Sequence, residues 1–65
     1  MAQRQTDELP SETRRKEIFQ ALVEAQDQQM SVPLSRKMIA KRFGVSETQI
    51  RDIEKEGLDE QWPPL

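Results

Sequence analysis

"RFGVSETQIRDIE", Arg42 to Glu54, is the stretch whose reading decides the fold. Gly44 suits the left-handed backbone conformation that closes many helices, because a residue without a Cβ adopts it at no steric cost. Ser46 belongs to the small group of residues whose side-chain oxygen accepts a backbone N–H at a helix start. Ile50 and Ile53 then recur at the spacing of one helical face. Helix, tight turn, helix is the order these signals predict.

The rest of the chain can be read outward from there. Upstream of the turn, Ser35 is expected to cap a short second helix that carries Met38, Ile39 and Phe43 inward and ends at Gly44. Downstream, the third helix is expected to run from its Ser46 cap to about Glu56 and to stop at Gly57. Met30-Ser31-Val32-Pro33 reads as a break, since the residue before a proline is pushed out of helical space. Before the break, Ser11 is expected to cap a first helix reaching about Gln28. Its apolar stripe is Ile18, Phe19, Leu22, Val23 and Ala25, and its polar face is Arg14, Lys16, Glu17, Gln20, Glu24 and Asp27. Residues 1 to 10 are polar without an apolar period and read as a flexible tail. The predicted architecture is all-α: a small three-helix domain with a helix-turn-helix over residues 11 to 58, and a C-terminal tail, 59 to 65, packed on the core.

Composition narrows the class. The chain has 65 residues, no Cys and no His. A core of this size is marginal alone, and neither disulfides nor the usual transition-metal ligands are present to support it. No metal or other cofactor is expected. Without His, Cys or Tyr, and without paired carboxylates in an evident pocket, no catalytic constellation emerges, and an enzyme is not expected. The opening Met-Ala-Gln-Arg-Gln-Thr-Asp-Glu lacks the apolar segment of an export signal, and no run approaches the about 18 apolar residues of a membrane span. A cytoplasmic protein with no membrane contact is the expectation.

The net charge of −2 is unlike that of most DNA-binding domains, which are basic. Its distribution matters more than its sum. Residues 1 to 33 carry four basic residues against six acids, whereas Leu34 to Val45 carries Arg36, Lys37, Lys41 and Arg42 and no acid. A basic patch is embedded in an acidic chain.

Two helices that cross through a short turn need a small residue at their contact, a turn residue tolerant of positive φ, and apolar anchors on both sides. Ala40, Gly44, the set Ile39, Phe43 and Val45, and the pair Ile50 and Ile53 meet those needs in order. The segment from Arg36 to Lys55 therefore resembles the bacterial helix-turn-helix family. Within that family, "IAKRFGVSETQIRDIEKEGL", Ile39 to Leu58, is similar to the C-terminal, promoter-reading (−35 element) region of sigma factors, on Gly44, Val45, Ser46, Ile50, Arg51, Ile53 and Glu54. The resemblance implies a free-standing, sigma factor-like transcription regulator or a phage- or mobile-element-type accessory protein that binds double-stranded DNA. Glu47 and Gln49 stand where the sigma pattern is usually basic, and Asp52 where it commonly has an uncharged amide. The sigma sequence preference is therefore not carried over.

With Ile50 and Ile53 inward, a 100° step per residue leaves Thr48, Arg51, Asp52 and Lys55 outward. Arg51 is a candidate for guanine O6 and N7, Gln49 for adenine and Asp52 for cytosine N4, while Thr48 and Ser46 can reach a phosphate or a thymine methyl. The candidate base-contacting set is Ser46, Thr48, Gln49, Arg51, Asp52 and Lys55. Phosphate contacts are expected from Arg36, Lys37, Lys41 and Arg42, or else those four form a solvated helix face. Four to six neutralised phosphates would set the slope of log affinity against log salt at roughly −3.6 to −5.4. The acids of the third helix have a stabilising reading: Glu47 with Arg51 and Asp52 with Lys55 are favourable intrahelical spacings, and Glu47 suits the helix dipole.

Three features carry two readings each. The stripe Ile18, Phe19, Leu22 and Val23 either closes the core or includes a homodimer seam. Arg14-Arg15-Lys16 is either a solvated face or a second phosphate grip. In the tail "GLDEQWPPL", Leu58 and Trp62 either cover the open end of the core, or Trp62, Pro64 and Leu65 form a docking peptide for RNA polymerase or another regulator. A single motif of this size needs a second half-site or a partner for useful affinity, which points to a homodimer or a complex. DNA binding is the leading function; a protein-interaction module built on a sigma-like fold is the alternative.

Overall fold

The computed structural model describes residues 10 to 65. The tail expected over residues 1 to 10 therefore lies, apart from Pro10, outside the described residues. Those residues form three helices and no strand: α1 (Glu12–Asp27), α2 (Val32–Phe43) and α3 (Glu47–Glu60). This is a small all-α domain. No helix among the described residues is long and apolar enough to cross a membrane.

Each helix starts on a serine. Ser11 Oγ accepts from Arg14 N at 3.2 Å, and Glu12 places a negative charge in the first turn, where the helix dipole favours it. α1 ends at Gln28 and Gln29, the latter at φ 68°. Ile18, Phe19, Leu22 and Ala25 form its buried stripe.

α2 starts earlier than the sequence reading expects. Ser31, not Ser35, is its cap, with Oγ accepting from Leu34 N at 3.3 Å. Pro33 then falls in the first turn, where its missing N–H would have had no intrahelical acceptor anyway, so the proline opens the helix instead of breaking it. Ser35 is completely buried. Its hydroxyl donates to Val32 O at 2.8 Å and accepts from Gln26 Nε2 at 3.1 Å, which ties α2 to α1 without an unsatisfied polar atom. Met38, expected inward, is 41% exposed, because Ile39 and Ala40 occupy the core-facing side and Met38 lies on the solvent side of that pair. Phe43 is half-buried against the core.

The α2 to α3 connection is Gly44-Val45-Ser46. Gly44 sits at φ 72° and ψ 32°, and Val45 N donates to Ala40 O at 3.0 Å, the long closing bond of a Schellman ending. Ser46 opens α3 with a complete capping box. Its Oγ accepts from Gln49 N at 3.0 Å, and Gln49 Oε1 accepts from Ser46 N at 3.1 Å.

α3 is also longer than expected. Gly57, read as its stop, lies inside the helix and is buried; the left-handed residue that ends α3 is Gln61, at φ 56°. Trp62 N donates to Gly57 O at 2.9 Å, repeating the closing bond seen after Gly44. This reversal carries Trp62 back onto the domain. It is 6% exposed and meets Phe19 edge-on, with ring centroids 6.0 Å apart and an interplanar angle of 81°. Leu58, expected to share that role, is 55% exposed. The core therefore comprises Ile18, Phe19, Leu22, Ile39, Ala40, Ile50, Ile53 and Trp62, drawn from all three helices and the tail.

Candidate nucleic-acid interface

The outward side of α3 is set by what its inward side must do. With Ile50, Ile53 and Gly57 against the core, Thr48, Arg51, Asp52, Lys55 and Asp59 are all exposed on the opposite side. Together with Arg36, Glu54 and Leu58 they line a shallow, open groove along the junction of α2 and α3.

Two acids of α3 face sideways and are matched by arginines of the neighbouring helices. Arg36 of α2 donates from Nε to Glu54 Oε1 at 3.0 Å, and its Nη2 lies 2.8 Å from the same oxygen in an ion pair. Arg15 of α1 holds Glu56 through both carboxylate oxygens, at 2.9 and 3.1 Å, and donates from Nη1 to Pro10 O at 2.8 Å. That hydrogen bond to Glu56 raises the Arg15 pKa above its ordinary value, against the smaller opposing effect of partial burial. A bidentate arginine fork fixes orientation as well as adding energy. The two ion pairs clamp α3 from both sides. They also neutralise Glu54 and Glu56, so the acids at these flanks do not add to the charge of the exposed face.

The intrahelical pairs expected for Glu47 with Arg51 and for Asp52 with Lys55 are not formed. Among the described residues Lys37, Lys41, Arg42, Arg51 and Lys55 make no ion pair, and all five are exposed. Long side chains on an exposed helix gain little from closing such pairs and lose rotamer freedom. Apart from Arg42, which lies over the Phe43 ring, the reach of these cations is left to solvent.

The candidate residues thus separate into groups. Thr48, Arg51, Asp52 and Lys55 share one exposed face of α3. Ser46 and Gln49 stand at the head of the same helix, where their side chains build the capping box. Lys37, Lys41 and Arg42 are exposed on α2, whereas Arg36 is half-buried and committed to Glu54. The run Arg14-Arg15-Lys16 is divided. Arg15 goes to Glu56. Lys16 pairs with Glu12 at 3.3 Å and lies 5.8 Å from the Trp62 ring centroid. Arg14 pairs with Glu17 at 3.0 Å and reaches across to Phe43. Sequence reasoning missed the cross-helix roles of Glu54 and Glu56, for which the only advance signal was an acid on each flank of the isoleucine stripe. Among the described residues no group of His, Cys, Asp and Glu side chains is arranged to hold a metal ion.

Comparison with protein-family models, with curated proteins and with solved structures finds no match.

Proposed function

We propose that this chain is a DNA-binding helix-turn-helix protein in which α3 enters the major groove and α2 lies across the phosphate backbone. One observation supports the reading above others: with Glu54 and Glu56 held by arginines of the neighbouring helices, α3 presents Thr48, Arg51, Asp52 and Lys55 together, and three further cations are exposed on α2. That face mixes donors and an acceptor, as base edges require, and is not dominated by negative charge.

In this reading Arg51 is the principal base contact, through a guanidinium that matches guanine O6 and N7. Lys55 and Thr48 flank it one turn away in either direction, and Asp52 supplies the acceptor that selects cytosine N4 and penalises other bases. Ser46 and Gln49 act mainly by presenting the first turn of α3, whose outward N–H groups favour a phosphate. Lys37, Lys41 and Arg42 make the backbone contacts, while Arg36 holds α3 at its working angle through Glu54. The fold serves a small sigma-like regulator or an accessory factor of a mobile element equally well.

Fluorescence anisotropy with a mixed-sequence duplex at several salt concentrations tests this reading. Three neutralised phosphates give a slope of log affinity against log salt of about −2.7 or steeper. Arg51→Ala should weaken binding and flatten sequence preference, by about 1–3 kcal/mol at the preferred base. Lys41→Ala should weaken binding to all sequences alike and make the slope shallower by about 0.9. A well-folded protein that shows no binding at low salt would leave α2 and α3 as a scaffold.

A further inference from the structure

Arg14 and Arg42 belong to different helices and converge on one aromatic ring. The Arg14 guanidinium carbon lies 4.7 Å from the Phe43 ring centroid and that of Arg42 lies 5.6 Å from it. Phe43 is the last residue of α2 and half-buried against the core, which restrains the ring, and both guanidinium groups lie within cation–π range of it. The turn that follows it leads directly into the first turn of α3.

This cluster is short of negative charge. Arg14 has one acidic partner among the described residues, Glu17, three residues on in the same helix, in a surface pair whose two side chains are each about half exposed. Arg42 has none among the described residues, and Lys41 precedes it. Two guanidinium groups on one ring repel each other, and an anion between them relieves that repulsion while each arginine keeps its contact with the ring. The planar fork of a guanidinium matches phosphate oxygens, and a side chain already restrained by a ring loses less rotamer freedom on binding than a free one. Arg15 and Lys16, the neighbours of Arg14, are turned instead to Glu56 and to Trp62 with Glu12.

We propose that Arg14 and Arg42, held together on Phe43, form a clamp for a DNA phosphodiester beside the start of α3. The clamp adds α1 to the DNA-contacting surface and rests on the DNA reading given above. It assigns Arg14 a partner-binding role and Phe43 a positioning one.

The test is the salt dependence of duplex binding for the unmodified protein, Arg14→Gln, Lys16→Gln and Phe43→Leu, each checked for an unchanged fold by circular dichroism. Loss of one phosphate contact should lower affinity about eightfold at 0.1 M salt and make the slope shallower by about 0.9, so Arg14→Gln should do both. Lys16→Gln removes the same charge two residues on and should change the slope by much less. Phe43→Leu keeps every charge, and should weaken binding while leaving the slope nearly as it was. If the unmodified protein binds in a salt-dependent way and Arg14→Gln matches it in affinity and slope, the clamp is overturned and the DNA reading stands. Equal losses in Arg14→Gln and Lys16→Gln also overturn it, since they would reflect net charge alone. If the unmodified protein binds no duplex at all, both proposals fall.

Discussion

α2 and α3 end in the same way and use different residues to do it. After α2, Gly44 takes the left-handed position and Val45 N closes back onto Ala40 O; after α3, Gln61 takes that position and Trp62 N closes back onto Gly57 O. The second ending has a glycine nearby but does not place it at the left-handed residue. Gly57 sits inside the helix because a Cβ there would overlap the Phe19 ring at Cδ1, Cε1 and Cγ. Gly44 has the reverse character: a Cβ there would meet nothing within 4 Å, yet its φ of 72° disfavours any side chain. One glycine is required by conformation and the other by packing.

Adding a methyl group to each glycine separates these roles. Gly57→Ala gains helix propensity of about 1 kcal/mol but drives a Cβ into Phe19, and should lower stability by about 2 kcal/mol net. For a domain this small that is a fall in Tm of roughly 10 °C by thermal melting. Phe19→Leu placed in the Gly57→Ala background should return part of the loss, since the obstructing ring is gone; an additive loss would contradict the packing account. Gly44→Ala has space and no clash, and should cost about 1 kcal/mol through backbone strain alone. The smallest effect is expected at the other ending. Gln61→Gly relieves the left-handed strain of an exposed residue and should raise stability by ~0.5 kcal/mol, after the entropy cost of a glycine in the unfolded chain. A destabilising Gln61→Gly would mean that the glutamine side chain supports the reversal that delivers Trp62.

The same contrast explains what could be read in advance. Ser11, Gly44 and Ser46 act within a few residues of themselves, so their roles as caps and turn follow from local chemistry and were legible. Ser31 and Ser35 are both good caps four residues apart, and choosing between them depends on whether Pro33 ends a segment or opens a helix. What separates the two in the fold is Gln26 of α1, which meets Ser35 from outside its own helix. Gly57 misled for the same reason: its distinguishing neighbour, Phe19, lies across the core. The exposed face of α3 was legible from the phase set by Ile50 and Ile53. Which arginine would take which acid was not, because Arg15 with Glu56 and Arg36 with Glu54 are pairs between helices. Local spacing pointed instead to Glu47 with Arg51 and Asp52 with Lys55, which stay apart.

The clamping of α3 by those two ion pairs is where the fold bears on the proposed function. It leaves an acidic chain with a polar face on α3 that is not dominated by negative charge, and through that face we propose that DNA is bound. Backbone amide shifts followed by NMR during titration with duplex DNA at low salt test it most directly. The largest shifts are expected at Thr48, Arg51, Asp52 and Lys55, with Lys37 and Lys41 next, and little movement at Gln20, Glu24 and Leu65. A spectrum that does not move with excess duplex, or shifts gathered around Gln20 and Glu24, would contradict it.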